Sequence, residues 1–361
     1  KVINSKINNS ILNSKLDISS NSNTGCFAGL SNNSQFSNCE ITGKFNINCD
    51  GGNNVGSFVG EMINSHANNT CIDISNSIFE GEHNIGGFTG KVINSEINNT
   101  LLNVNLDIKA KSNTACFSGI SNNCKFHNSK IIGGVNINCE GFNVGLFAGE
   151  MYDSNVNEIL IDINNSVLRG TNNIGGFIGT TIYSEIKESI ICGYLCIIGI
   201  KCNEIFSNHS KYIGGFLGYS MNNLVLKCNA NFNGTLLGYE YVSGFVAIDS
   251  SSEFKECCME INGGINSLKD TSLFCSKTVD IQDKISIFCD CKINKKTKIN
   301  NVLVTINNII EYEKIANTNF KVTFKDGVYP KSYVRLFELQ NKLLEEDSII
   351  YQIFDYILTC K

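Results

Sequence analysis

The sequence contains no tryptophan, one proline and four histidines, and its only arginines are Arg169 and Arg335. Without tryptophan, and with few outward tyrosines, it offers few aromatic platforms on which a sugar ring could stack. An excess of base is missing too. Lys and Arg number 29 against 34 Asp and Glu, a net charge of −5. No basic field therefore draws the chain to nucleic acid or to an anionic membrane. No apolar run reaches the roughly 20 residues of a membrane span. The 17 cysteines are an odd number and cannot all pair within the chain. Their spacing matches no zinc ligand set: Cys289-x-Cys291 is too close for a CxxC pair, and Cys257-Cys258 is vicinal. No cofactor is expected. The chain opens on neither Met nor a signal peptide, so its start is expected to be processed or to lie inside a longer protein.

What the sequence does have is a repeat. Asn84-Ile85-Gly86-Gly87-Phe88-Thr89-Gly90 returns around Phe58, Phe147 and Phe177, with weaker copies around Phe27, Phe117, Phe216, Phe245 and Phe274. The steps between these phenylalanines are 31, 30, 29, 30, 30, 39, 29 and 29 residues. A fixed period of that size marks a stacked array. Residues 1–18 nearly repeat as 91–108, so a block of about 90 residues, three coils long, is used almost twice. The 32 glycines are positioned within the repeat rather than scattered, which argues against disorder. Asn makes up roughly 15% of the chain, well above average usage. With abundant Ile and Lys, it reads as a mark of AT-rich coding.

Three residues before each phenylalanine stands a β-branched residue, from Thr24 and Val55 through Val242 and Thr271. Such residues suit pleated strands stacked in ladders. Nine residues after it runs an apolar column: Phe36, Ala67, Ile97, Phe126, Val156, Ile186, Val225 and Phe254. Fourteen and sixteen after it, pairs such as Ile72/Ile74 and Leu102/Val104 flank a mostly polar residue. Gly43, Gly133 and Gly193 share the second position. This in–out–in alternation marks a strand with one buried face. The expectation is an all-β, right-handed parallel β-solenoid of about nine coils. Each coil holds roughly 30 residues in three short strands, and the stack is on the order of 40 Å long at about 4.8 Å per coil. The phenylalanines Phe27, Phe58, Phe88, Phe117, Phe147, Phe177, Phe216, Phe245 and Phe274 form its structural ladder. The long step places about nine inserted residues in Gly199–Ser210.

Beyond residue 277 the pattern fades. Lys296–Ile309 still reads as strand, and Phe320–Tyr329 as a hairpin turning at Asp326-Gly327. Pro330 opens helical periodicity, with Leu336, Leu339, Leu343 and Leu344 on one face and a second set from Ile350 to Leu358. Residues 1–277 are thus expected to form the solenoid. Residues 278–361 are expected to form a small C-terminal α+β cap with helices in 330–360, covering the last sheet edge.

GGFTGKVINSEINNTLLNVNLDI, from Gly86 onward, resembles the GLUG repeat: a G-G-[LF]-V-G start, an apolar-Asn-Ser corner and a short polar–apolar tail. The resemblance covers roughly residues 1–275. It implies a scaffold module of large bacterial and protist surface proteins, adhesins among them, and hence an extracellular or cell-surface location.

Candidate chemistry is sparse. Glu80-Gly81-Glu82-His83 offers two carboxylates and an imidazole on one turn, which is ordinarily solvated charge rather than a metal site. His66, His127 and His209 fall at other coil positions and form no cluster. Twelve residues past each phenylalanine stands a small residue (Cys39, Thr70, Thr100, Ser129, Ser189, Cys228, Cys257), broken only by Ile159. It reads as a tight interior corner in which Cys acts as a small hydrophobe. Cys228 and Cys257 fall on adjacent coils, near enough to be a candidate disulfide. Asn8, Asn32, Asn68, Asn98, Asn164, Asn208 and Asn233 begin N-x-S/T sequons, about as many as chance provides in so Asn-rich a chain.

A polysaccharide-processing β-helix of the pectate-lyase type would line a groove with Asp, Lys and Arg. Here the outward columns mix Asp, Glu, Asn and Lys without such order. A flat array of one repeated short side chain, as ice binding needs, is also absent. A non-catalytic structural or adhesive solenoid fits best, with protein partners (its own copies or other subunits) and a glycan as the alternative. Lys1 aligns with Lys91, so the first coil lacks its phenylalanine and residues 1–18 are ordinary repeat. The expectation is therefore further coils upstream, or a first rung that pairs with another chain as a filament or dimer.

Overall fold

The computed structural model of the protein describes residues 1–200, 210–267, 270–279 and 286–291 with their side chains. Beyond these it describes only the backbone of 292–293, 297–299, 302–304, 310–315 and 319–324. The chain is an all-β solenoid of about nine stacked coils, with no helix among the described residues. We number the coils by their phenylalanine, from coil 1 (Phe27) to coil 9 (Phe274). A narrow sheet of ten parallel strands runs from Val2–Ile3 through Ala28–Asn32 and Val59–Ile63 to Cys275–Thr278. The other segments form a broad sheet around the remaining faces.

Each coil supplies four pairing segments rather than three. In coil 6 they are Ile178–Ile182, Glu185–Lys187, Ile190–Gly199 and Lys211–Gly214. The fourth arises because the core phenylalanine lies at a bend, not mid-strand. Phe88 separates a strand ending at Gly86 from one starting at Thr89. At Gly86 a Cβ would sit 2.0 Å from Thr89 O and 2.6 Å from Phe117 O, so a side chain there would push the coils apart, although the same column holds Ala115 in coil 4 and Ser243 in coil 8. The bend keeps its rungs: Phe58 N donates to Phe88 O at 2.9 Å and Phe147 N to Phe177 O at 2.8 Å.

Inside, the rings form one column. Successive centroids from Phe27 to Phe274 lie 4.6–5.3 Å apart, and from Phe58 onward neighbouring rings are stacked. Phe27, at the amino end, is half-buried, and the other eight are fully buried. The second apolar column packs edge-on against the first, with Phe36 5.0 Å from Phe58 and Phe126 5.1 Å from Phe147. A third column is polar. Ser65 Oγ accepts from Ser34 N at 3.1 Å and donates to Ile63 O at 2.7 Å, and Ser95 and Ser154 repeat the arrangement. The serines thereby satisfy corner N–H groups that would otherwise be buried without partners.

The abundance of asparagine has a structural reason. Three corner columns sit in the left-handed region: Asn33, Asn64, Asn94 and Asn123; Asn38, Asn69, Asn99 and Asn128; and Asn54, Asn84, Asn113, Asn143 and Asn173. All have φ between 46° and 64°. Asn tolerates that conformation better than any other residue with a side chain except Asp. In the third column each amide Nδ2 donates to Oδ1 of the preceding coil at 2.8–3.1 Å, from Asn54–Asn23 to Asn173–Asn143. Later coils keep the corner with other residues: Asp153, Glu158, Tyr183, Glu188, Tyr212, Lys227 and Tyr241 have φ of 45–62°.

The expected inward glycines are not inward. Gly43, Gly133 and Gly193 have φ of 134°, 112° and 105° and kink the long strand, while Phe45, Val135 and Leu195, two residues on, fill the core. A side chain at Gly133 would strike Val104 O at 1.9 Å. The long step is taken up at one corner. Gly170 pairs with Gly199 and Asn172 with Lys211, so the extra residues fall between Gly199 and Lys211. Residues 201–209 lie outside the described residues.

Parallel pairing continues past residue 277: Ile287–Cys289 pair with Glu253–Lys255, and Lys298–Ile299 with Gly264–Ile265. The chain then reverses. Thr297–Ile299 pair antiparallel with Val302–Val304, so 296–309 is not one strand. Asn319–Phe324 is a strand, paired antiparallel with Ile310–Ile315. The Asp326-Gly327 turn and the helices expected in 330–360 lie outside the described residues.

Phe147 lies mid-column with stacked rings above and below it. Phe147→Ala should lower stability by about 3–5 kcal/mol, from lost transfer energy and the cavity left behind. Urea denaturation of the variant and parent measures it. A loss below about 1 kcal/mol would mean the column carries little of the core.

Candidate functional site: a polar groove at coils three to five

Glu80–His83 lie within the strand Cys71–Gly86 and not on a turn, and their side chains are taken up by ordinary coil-to-coil pairing. Lys109 Nζ lies 2.5 Å from Glu80, Lys111 forms a close ion pair with Glu82, and His83 Nδ1 meets Ser112 Oγ at 2.6 Å. The Lys111 contact holds the Glu82 carboxyl below its usual range. His66 lies 3.6 Å from Glu96 and His127 3.8 Å from Glu158, each against the next coil. His209 is outside the described residues, as is Asn208. No group of three or more His, Cys, Asp or Glu suited to a metal occurs among the described residues. Of the sequon asparagines, Asn8, Asn164 and Asn233 are exposed, while Asn32, Asn68 and Asn98 are half-buried.

Every described cysteine is a free thiol. Cys228 and Cys257 are fully buried on adjacent coils. Instead of bridging, each points at carbonyls: Cys228 Sγ donates to Leu226 O at 3.4 Å and Ile186 O at 3.5 Å, Cys257 Sγ to Val225 O and Lys255 O at 3.4 Å. Burial pushes the Cys228 thiol up to about 12, far from a reactive thiolate.

Sequence reasoning missed Asp249. It is the only charged side chain among the described residues that is fully buried. It sits where other coils place Val92, Met151, Thr181 or Ser220, all facing the core. Ser252 N donates to its Oδ2 at 3.1 Å, and the hydroxyls of Ser220, Ser252 and Ser286 surround it. Oδ1 has no partner. Burial pushes this carboxyl up, with the hydrogen bonds opposing. Burial first, and the Asp249 charge second, push the Cys275 thiol and the Tyr219 phenol up.

A groove of about 600 Å³ opens on the broad sheet, lined by Asn105, Asp107, Gly133, Gly134, Asn136, Asn164, Asn165 and Arg169, with Val104, Val135 and Val167 behind them. Three local features make it. Gly133-Gly134 leaves the floor without side chains. Asn164-Asn165 bulges out, so that the register of coil 5 on coil 4 shifts between Gly133 and Asn136. Asn165 takes φ 50° to allow it, while Ser166 turns inward to accept Val135 N at 3.0 Å. Arg169 Nη1 donates to Asn136 Oδ1 at 2.9 Å. Asp107, Asn164 and Asn165 make no side-chain hydrogen bond among the described residues, though outward groups elsewhere pair across coils, as Asn103 does with Asp73. No sequence signal marked this groove, because it depends on which residues of unequal coils come side by side.

No protein-family model and no curated protein matches the chain. The GLUG-like pattern therefore rests on the residues quoted above. Among solved structures, the crystal structure of PfbA, a surface adhesin of Streptococcus pneumoniae, is similar over 82% of this chain and 70% of that chain, at 10% identity and a TM-score of 0.25.

Asp249 makes stability depend on pH. Its folded pKa lies above the unfolded value of about 3.9, so its contribution is fully present below that value. It is lost as pH rises through the folded pKa. Asp249→Ser, which places the residue of coil 7 in the same column, should remove that slope and stabilise the protein at neutral pH by about 1–3 kcal/mol. Denaturant titrations from pH 4 to 8 read both effects. A variant with the parent's slope would show that the carboxyl is not held neutral.

Proposed function

We propose that the chain is a non-catalytic solenoid that serves as a rigid, adhesive scaffold, part of a surface protein or a larger assembly outside the cell. In this reading residues 1–277 form the rod and 278–361 its cap. One observation carries it: among the described residues most outward ion pairs join one coil to the next, with Glu185–Lys187 and Glu253–Lys255 pairing within a coil. Glu61–Lys91, Glu80–Lys109, Glu82–Lys111, Lys211–Glu240 and Glu188–Lys227 all join neighbouring coils. Such pairs lace the surface of a rod, and each is individually weak. A catalytic site would need a nucleophile, a base and an orienting group at one point.

The groove favours a second component of this reading, glycan contact. It has convergent polar groups but, among the described residues, no pair of carboxylates placed for acid–base work on a glycosidic bond, Asp107 being the one carboxylate among them that lines it.

Beads coated with the 361-residue chain, applied to cell-surface glycans and extracellular-matrix proteins, test the proposal. The expected result is adhesion that resists washing, with no new reducing or unsaturated ends released from polysaccharides. Turnover of any polysaccharide would overturn the non-catalytic reading.

A further inference from the structure

The near-duplication of the three-coil block supplies an internal control for the groove. In the first block the same backbone features recur. Lys15 pairs with Lys44, Asp17 with Asn46, and the strand of coil 2 shifts register between Ile74 and Ile78. Ser77 Oγ accepts Phe45 N at 3.0 Å, as Ser166 Oγ accepts Val135 N in the second block. Against that shared frame, Asn105 replaces Lys15, Gly134 replaces Lys44, and Arg169 stands where Glu80 does.

The first two replacements clear the surface and the third changes its charge. Losing Lys15 and Lys44 removes two long side chains from the floor and one wall. Replacing Glu80 by Arg169 reverses a charge and redirects an amide. In the first block Asn46 Nδ2 donates to Asp17 Oδ1 at 2.8 Å. In the second, Asn136 Oδ1 instead accepts from Arg169, and the Asp107 carboxylate is left without a hydrogen bond among the described residues. The guanidinium spends one N–H on Asn136, and its remaining donors have no partner among the described residues. A fork of donors, a free carboxylate and the amides of Asn164 and Asn165 thus border one groove whose floor is bare backbone.

We propose that this groove is a binding site for an acidic glycan, with a sugar carboxylate on Arg169 and sugar hydroxyls on Asp107, Asn164 and Asn165. A guanidinium fork matches carboxylate geometry and forms strong charge-assisted hydrogen bonds. A carboxylate accepts from vicinal hydroxyls, and side-chain amides both donate and accept, as hydroxyl-rich ligands require. The volume falls within the usual range for small-ligand sites. The single positive charge and the polar lining do not suit nucleic acid or an apolar peptide. The proposal rests on the adhesive reading and names one contact through which it would act.

Two substitutions test it without threatening the fold, because the first block already carries their side chains. Gly134→Lys refills the floor with the residue of Lys44. Gly134 is not held at positive φ, and a Cβ there meets only Asn164 O at 3.2 Å and Oδ1 at 3.4 Å. Arg169→Glu restores the charge of Glu80. Binding of oligogalacturonate, a sialylated oligosaccharide and a neutral cello-oligosaccharide is measured by calorimetry on the full chain, with circular dichroism confirming the fold. At least one acidic probe should bind, the neutral one should bind about tenfold more weakly or not at all, and each variant should lose about tenfold or more. Equal binding of neutral and acidic probes, undiminished binding by either variant, or no binding of any probe would overturn the proposal. In the last case, beads that still adhere would leave the scaffold reading standing. Beads that fail to adhere while the groove binds would overturn that reading alone.

Discussion

In a parallel in-register stack each residue has its own counterpart about 4.8 Å above and below it. Every position must therefore be compatible with itself. Phenylalanine satisfies this by stacking, with centroids near 5 Å through coils 2 to 9. Asparagine satisfies it because one amide both donates and accepts, so a column of amides closes its own hydrogen bonds. Serine does so by accepting from one coil and donating within its own. Charged residues cannot stack on their own kind without repulsion, and where neighbouring coils form ion pairs the signs alternate, as Glu61 with Lys91 and Glu82 with Lys111, while Lys15 over Lys44 is a like-charge exception.

That constraint made much of the architecture readable. The Phe column, the β-branched column before it and the apolar column at Phe36 and its counterparts recur at fixed intervals. A period is visible in a sequence whatever holds it in place. The site of the inserted residues was equally legible, because a break in the period has only one place to go. What depends on contact between coils was not legible. The asparagines looked like a trace of base composition until their φ values and amide chains were seen. Gly43, Gly133 and Gly193 matched the inward position by count but are kinks by conformation. Asp249 hid among residues of no common chemistry, because its burial follows from the column it occupies.

The groove shows how such a rod acquires a site. A repeat that satisfies itself leaves nothing over for a ligand, and function enters where the repetition lapses. Coils 3 to 5 lapse at Asn105, Gly134 and Arg169, on a backbone that the first block shares. The polar groups freed there are those that pair with a neighbouring coil elsewhere. A similar departure occurs at the far end, where Tyr212 and Tyr241 take over an asparagine corner and stack at 5.7 Å, with Lys277 Nζ 4.8 Å from the second ring. There the column stays closed upon itself, now through rings instead of amides.

The coils rise in register along one axis, and distance along a single corner column measures that most directly. Spin labels introduced through unnatural amino acids would be paired between Asn38 and, in turn, Asn128, Glu188 and Glu256. These residues occupy equivalent corners of coils 1, 4, 6 and 8. Pulsed dipolar spectroscopy should give separations that grow linearly, roughly 14, 24 and 34 Å at about 4.8 Å per coil, with narrow distributions. Separations that fail to grow with coil number, or broad distributions at every pair, would contradict the stacked solenoid and everything built on it.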